Sequence, residues 1–414
     1  MTMRRTICRL LFILGCLTGC GSLSPYAAAQ INEIVYASDY RIDPDRLGEL
    51  RIEIDNLNFF KNNEFAGEFI KGYSLPGLWV QPKGVYYPLA NLKLELGFHA
   101  LIYHGTYKYP SFAYVDIATW KGNQFQKGAH ILPYLRAQVD LTDRLSLVFG
   151  NIYGGANHQL IEPLYNPELN YTADPEAGLQ LIYDARKFRA DIWLNWQTFI
   201  FQTDTHQEAF TVGLSSRFKF NDPGSTLHAY VPVQGVIQHR GGEIDTLTVG
   251  SVQTLMNGAA GLGVDWNTGH PVVRRVNAEL DVAAYYQQAG TLWPFDSGYG
   301  IYFKMSADIR DFRVKAAYWQ CDDFISMFGS PFYGAVSTKE EGLTFQKPQL
   351  VYFGAEYSKS LGKGFALGVD LDLFYTLSGN SHHPTEGLQP YGSATSFTIG
   401  AYLRFNPSFL IKRF

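Results

Sequence analysis

From Leu50 to Phe405, apolar side chains return at every second position in run after run. In residues 365–377 one face carries Phe365, Leu367, Val369, Leu371, Leu373, Tyr375 and Leu377, and the other carries Ala366, Gly368, Asp370, Asp372 and Thr376. In 188–200, Phe188, Ala190, Ile192, Leu194, Trp196 and Ile200 oppose Arg189, Asp191, Asn195 and Gln197. Successive side chains of a strand point to opposite faces, so each such run separates two media. The runs last 10–14 residues, whereas strands of soluble domains are usually about 5–6 residues long.

Two kinds of connection alternate between the runs. Short turn signals stand at 88–91, 141–144, 184–187, 221–225, 267–271, 309–312 and 360–364. Long polar or Gly/Pro-rich stretches include 105–130, 152–176, 241–257, 325–349 and 379–395. The pattern predicts about sixteen strands, within about 14–18, with seven short turns and eight longer loops. A soluble propeller would show similar blades repeating about every 40–50 residues, and the sequence has no such repeat. Charged residues make up 17% of the chain, below the roughly 25% of soluble domains. A net charge of −4 without a basic cluster excludes nucleic acid as a partner.

The N-terminus reads as an export signal. Arg4, Arg5 and Arg9 precede a short apolar core, "LLFILGCL", too short to span a bilayer as a helix. Cleavage after the small residues behind Pro25 would leave Gln30 first, while "LTGC" would leave a lipidated Cys20. The expected organisation is a signal peptide over 1–29, a short periplasmic segment over 30–49 and one barrel over 50–414. Beyond Cys8, Cys16 and Cys20 stands Cys321 alone, which excludes an internal disulfide framework.

With its leader, alternating strands, loop asymmetry and aromatic C-terminus, the chain resembles a Gram-negative outer-membrane β-barrel protein of the porin-like kind. The resemblance implies an all-β, transmembrane, antiparallel up-and-down barrel. It also implies recognition by the barrel-assembly machinery through a last strand carrying Phe397, Ile399, Ala401, Leu403 and Phe405, with Phe414 as terminal aromatic. The first strand, near "LRIEIDNL", is expected to pair with that last strand and leave no edge.

If the apolar face meets lipid, the other face is the lumen. The candidate pore-lining residues are Lys93, Glu95, Arg136, Asp140, Arg189, Asp191, Arg217, Glu279, Asp281, Lys304, Asp308, Arg313, Lys315, Glu356, Asp370, Asp372 and Arg404. Neither sign dominates, so strong ion selectivity is not expected. The constricting loop is sought in 105–130 or 152–176, and 30–49 is judged too short for a plug. Trp193 and Trp319 have lumen parity and are candidates for stacking on sugar rings, with wall packing as the alternative.

Four polar clusters are tested as chemistry: His158 and Glu162; Asp204, His206 and Glu208; His239, Arg240, Glu243 and Asp245; and His382 with His383, which has no nameable acid partner. No Ser has a nucleophile elbow, and each cluster reads as ordinary loop polarity. The expectation is therefore a passive channel for small hydrophilic solutes, with outer-membrane lipids around it. No catalytic residue, metal or cofactor is expected, and the chain is read as no enzyme. A closed barrel presenting loops for binding is the alternative, and a rim enzyme the remoter one. Homo-oligomerisation stays open.

Overall fold

The computed structural model describes residues 31, 35–104, 129–199, 207–242 and 252–414. The leader, Cys20 and most of loop 105–130 lie outside them. Twenty strands follow in chain order. The first thirteen are β1 (Glu49–Glu64), β2 (Tyr73–Leu89), β3 (Leu92–Tyr103), β4 (His130–Thr142), β5 (Leu145–Asn151), β6 (Ala177–Asp184), β7 (Phe188–Thr198), β8 (Ala209–Lys219), β9 (Leu227–Arg240), β10 (Gln253–Asn267), β11 (Val273–Ala289), β12 (Ser297–Ile309) and β13 (Phe312–Asp322). The rest are β14 (Thr344–Gln346), β15 (Gln349–Gly362), β16 (Phe365–Thr376), β17 (Gly379–His383), β18 (Gly387–Tyr391), β19 (Ala394–Phe405) and β20 (Ser408–Arg413).

Sixteen of these form the barrel: β1–β13, β15, β16 and β19, each antiparallel to its neighbours. Closure comes from β1 against β19, in register from Asn56–Phe405 to Glu64–Phe397. No backbone edge is then left to the hydrocarbon, which cannot satisfy one. β20 continues past Pro407 along the foot of β1, and the Phe414 ring meets Tyr86 edge-on at 5.8 Å. All seven short turns fall where the sequence puts them. β14, β17 and β18 form a separate small sheet at the long-loop end.

Parity sorts the wall as the pattern requires. In β19, Phe397, Ile399 and Leu403 are exposed while Ser396, Thr398, Tyr402 and Arg404 are buried. The outward set, including Leu262, Phe149, Val282 and Ile301, makes an apolar belt, and the chain is a porin-like outer-membrane β-barrel. Leu262 sits near the middle of β10 and is 67% exposed. Leu262→Arg is expected to cost about 2–4 kcal/mol in urea unfolding from lipid vesicles, against a negligible cost at an interface position.

Much of the interior is filled. The connection between β5 and β6 folds inward, burying Tyr153, Ile161, Leu164 and Leu169, the last opening helix α1 (Leu169–Thr172). The connection between β13 and β15 buries Phe324, Ile325, Met327, Phe332, Tyr333 and Phe345. With inward residues such as Val148, Trp193, Val236, Ala283, Trp319 and Phe374, they make one contiguous apolar cluster from β5 round to β16. Fully burying one such large side chain is worth about 1.5–3 kcal/mol, so the fill is part of the fold.

The stretch 30–49, expected in the periplasm, enters the barrel in part. Ile31 and Val35 pack with Leu57, Leu75, Tyr171 and Tyr402. Arg404 Nη1 donates to the Val35 and Ala37 carbonyls at 2.8 Å each. Room comes from Gly368 on the inner wall, where an added Cβ would lie 2.8 Å from Ile31. A segment too short to be a domain still fills a gap in a lumen other loops have narrowed.

Candidate active site

Charges on the inner wall are held in bridges. Glu95 lies within 2.6 Å of Lys93, 2.7 Å of Lys83 and 3.5 Å of Arg136. Arg136 also donates to the Asn151 and Ile152 carbonyls, fixing where the inward loop leaves β5. Glu279 takes Lys304 at 2.8 Å and Arg217 at 3.7 Å. Arg313 forks onto Asp308 and Arg404 onto Asp55, and Lys315 pairs with Glu356. Lys61 stands between Asp370 and Asp372. Asp140 accepts from Ser146, Arg189 donates to the Asn157 carbonyl, and Asp191 accepts from Gln180. Asp281 is buried, and one of its oxygens has no partner among the described residues. Sixteen of the seventeen candidates take part in these contacts, around a cavity of about 390 Å³ bordered by Arg189, Arg217, Glu279 and Lys304.

Neither lumen tryptophan is free to stack on a sugar. Trp193 lies flat under the His158 ring at 3.6 Å, over Gly213, where a Cβ would collide with the indole at 2.0 Å. Trp319 packs edge-on to Phe324, Tyr302 and Tyr333.

His158, read as loop polarity, is a buried structural imidazolium. Its Nδ1 is 2.8 Å from Asp191 and its Nε2 3.2 Å from Glu176. Burial pushes its pKa down, but the Glu176 and Asp191 carboxylates outweigh that and hold it at about 9. The folded value exceeds the unfolded one of about 6.5, so the contribution is complete below about pH 6.5 and is lost as pH rises through about 9. Its size is about 3 kcal/mol. Wild-type unfolding free energy is therefore expected to fall between pH 7 and 10 by more than that of His158→Gln, measured by urea titration at each pH. Held as an imidazolium between two carboxylates, His158 carries a proton on each nitrogen and has no basic lone pair to offer.

His239 is likewise engaged, 2.9 Å from Thr254 Oγ1 and 3.1 Å from the Gly241 carbonyl. His99 is buried, and neither of its ring nitrogens has a partner among the described residues. Asp204, His206, Glu243 and Asp245 lie outside the described residues.

The remaining cluster is different. His383 ends β17, and the three-residue turn behind it closes on Gly387, whose φ of +74° glycine adopts without strain. His383 Nδ1 accepts the backbone N–H groups of Thr385 and Glu386, each at 3.2 Å. Those two donors leave Nδ1 unprotonated in the neutral ring, so Nε2 carries the hydrogen. Nε2 meets Glu340 Oε1 at 2.5 Å, and Thr385 Oγ1 lies 2.9 Å from Nδ1. The acid partner that the sequence did not supply is thus Glu340, 43 residues upstream.

Packing holds the parts in place. β14 pairs with β17, and Phe345 stacks on Phe69 at 3.9 Å. Ser337 Oγ accepts the Glu340 N–H and donates to the Glu68 carbonyl. Thr385 is exposed, and the His383 and Glu340 side chains are part-exposed. A hydroxyl, an imidazole whose basic nitrogen faces it, and a carboxylate behind the imidazole can perform nucleophilic acyl transfer.

Residues 42–414 match the model of the lipid A 3′-O-deacylase-type family. Among curated proteins, none matches this chain. Among solved structures, OprD from Pseudomonas aeruginosa is similar at 8% identity and a TM-score of 0.45, covering 93% of this chain and 98% of its own. OccAB4 of Acinetobacter baumannii is similar at 11% and 0.44, covering 89% and 100%. A loop-deleted OmpT of Vibrio cholerae is similar at 10% and 0.44, covering 86% and 99%. At these values they add nothing to the architecture that the strand pairing already establishes. The family match corrects the reading of the chain as no enzyme, because that family is described by a hydrolytic activity. With nine-tenths of its length inside the match, the chain belongs to the lipid A 3′-O-deacylase-type family.

Proposed function

We propose that the protein is an outer-membrane hydrolase that removes an ester-linked acyl chain from a lipid A-type glycolipid of the outer leaflet. The observation that carries this reading is the Thr385–His383–Glu340 relay at the long-loop end, the end that faces outward in such barrels. The family description supports the same chemistry. Thr385 Oγ1 attacks the ester carbonyl while Nδ1 of His383 takes its proton, and Glu340 stabilises the imidazolium. The proton passes to the departing sugar hydroxyl, and water then releases the fatty acid from Thr385 by the same steps in reverse. Export by the N-terminal leader and assembly in a Gram-negative envelope belong to this reading. Incubating the purified protein with lipid A in mixed micelles tests it. Release of one fatty acid per lipid is expected, and no release would sink it.

Passive solute diffusion is the second reading, favoured by the cavity among the charged wall residues. Against it stands the apolar fill contributed by two loops. Planar-bilayer recording separates the two: steady open steps at low voltage support a channel, and a silent barrel supports the filled one.

A further inference from the structure

Inside the barrel, against Lys61 and Asn63 of β1 and Asp370, Asp372 and Phe374 of β16, lies a small cavity, about 70 Å³, with an excess of buried negative charge. Five carboxylates border it: Glu162, Glu168, Glu356, Asp370 and Asp372, against two cations, Lys61 and Lys315. Lys315 is taken up by Glu356. Lys61 stands 3.5 Å from Asp372 and 3.9 Å from Asp370. Glu168 is 3% exposed, and its bonds come from neutral donors: Asn63 at 3.0 Å and the Tyr73 hydroxyl at 2.7 Å. Glu162 accepts the Tyr302 hydroxyl. Asp370 is 8% exposed, and its Oδ1 has no partner among the described residues. Buried carboxylates left uncompensated are costly, so an arrangement with three more of them than cations calls for a further cation.

The rest of the lining says which kind. Tyr36, Tyr73, Tyr333, Tyr352, Phe65 and Phe374 contribute ring surface. Among the described residues, no three His, Cys, Asp or Glu side chains converge on one metal position. Spread acceptors with aromatic faces between them suit an ammonium, which is bound by hydrogen bonds and by cation–π attraction together. The cluster already holds one such group in the Lys61 Nζ.

We propose that this cavity binds a small primary ammonium ion, of the size of methylammonium or ethanolamine, beside Asp370 and Glu168. The site stands apart from the relay and does not depend on the hydrolase reading.

Isothermal titration of the detergent-solubilised wild type with methylammonium and with ethanolamine, at constant ionic strength, tests it. Saturable millimolar or tighter binding is expected, with at least a tenfold loss in Asp370→Asn. Should that variant fail to fold, Glu168→Gln is expected to show the same loss, and the wild-type titration decides by itself. No saturable heat with either amine overturns the proposal. So does binding of calcium or magnesium in place of the amines, which would make the cavity a metal site.

Discussion

Glu95→Ala is expected to destabilise the barrel by about 3–5 kcal/mol, the largest stability effect of any single change considered. The carboxylate is fully buried and is shared by Lys83, Lys93 and Arg136. Removing it leaves three largely buried cations without their shared carboxylate, and an uncompensated buried charge costs more than the bridge itself was worth. Arg136 also carries the Asn151 and Ile152 carbonyls and lies 3.8 Å over the Tyr153 ring. The variant should therefore loosen the inward loop as well as the wall. Urea unfolding followed by tryptophan emission reads the first effect, and protease cutting within 152–176 reads the second. Adding Lys93→Met to Glu95→Ala should recover part of the loss. Glu64→Ala, at an exposed strand end, should stay within about 0.5 kcal/mol of wild type.

The relay yields the largest expected effect on activity. His383→Ala should lower ester hydrolysis by about 10²–10⁴-fold, the range that a general base contributes. Thr385→Val should match it, and Thr385→Ser should retain activity because the hydroxyl is kept. Glu340→Gln keeps the shape but removes the charge that stabilises the imidazolium, so a loss of at least about 10² is expected. All four changes lie outside the barrel strands, at the end of β17, in the turn behind it and in the connection before β14. Unfolding free energy should change little, and a parallel loss of stability and activity would point to a merely structural turn.

The wall was legible because its cause is local. A lipid-facing strand exposes the same parity throughout, so Phe397, Ile399 and Leu403 declare the outer face and Thr398, Tyr402 and Arg404 the inner one. The seven short turns were legible for the same reason. What fills the barrel was less so. The stretch 152–176 was a candidate by length, but Phe324, Phe332 and Phe345 belong to a connection that reads as an outer loop. Apolar residues in a loop carry no period that says which way the loop folds. His158 looked like solvated polarity because its partners Glu176 and Asp191 are 18 and 33 residues away. The relay was half visible: His383 and Thr385 are neighbours, whereas Glu340 reaches them only through the pairing of β14 with β17.

Mass spectrometry of lipid A from cells producing wild type, or His383→Ala at the same level of folded barrel, tests the central claim most directly. The account predicts that wild type removes the mass of one ester-linked acyl chain and that His383→Ala leaves lipid A intact. Intact lipid A in both strains would contradict the hydrolase reading, and deacylated lipid A in both would contradict the assignment of the relay.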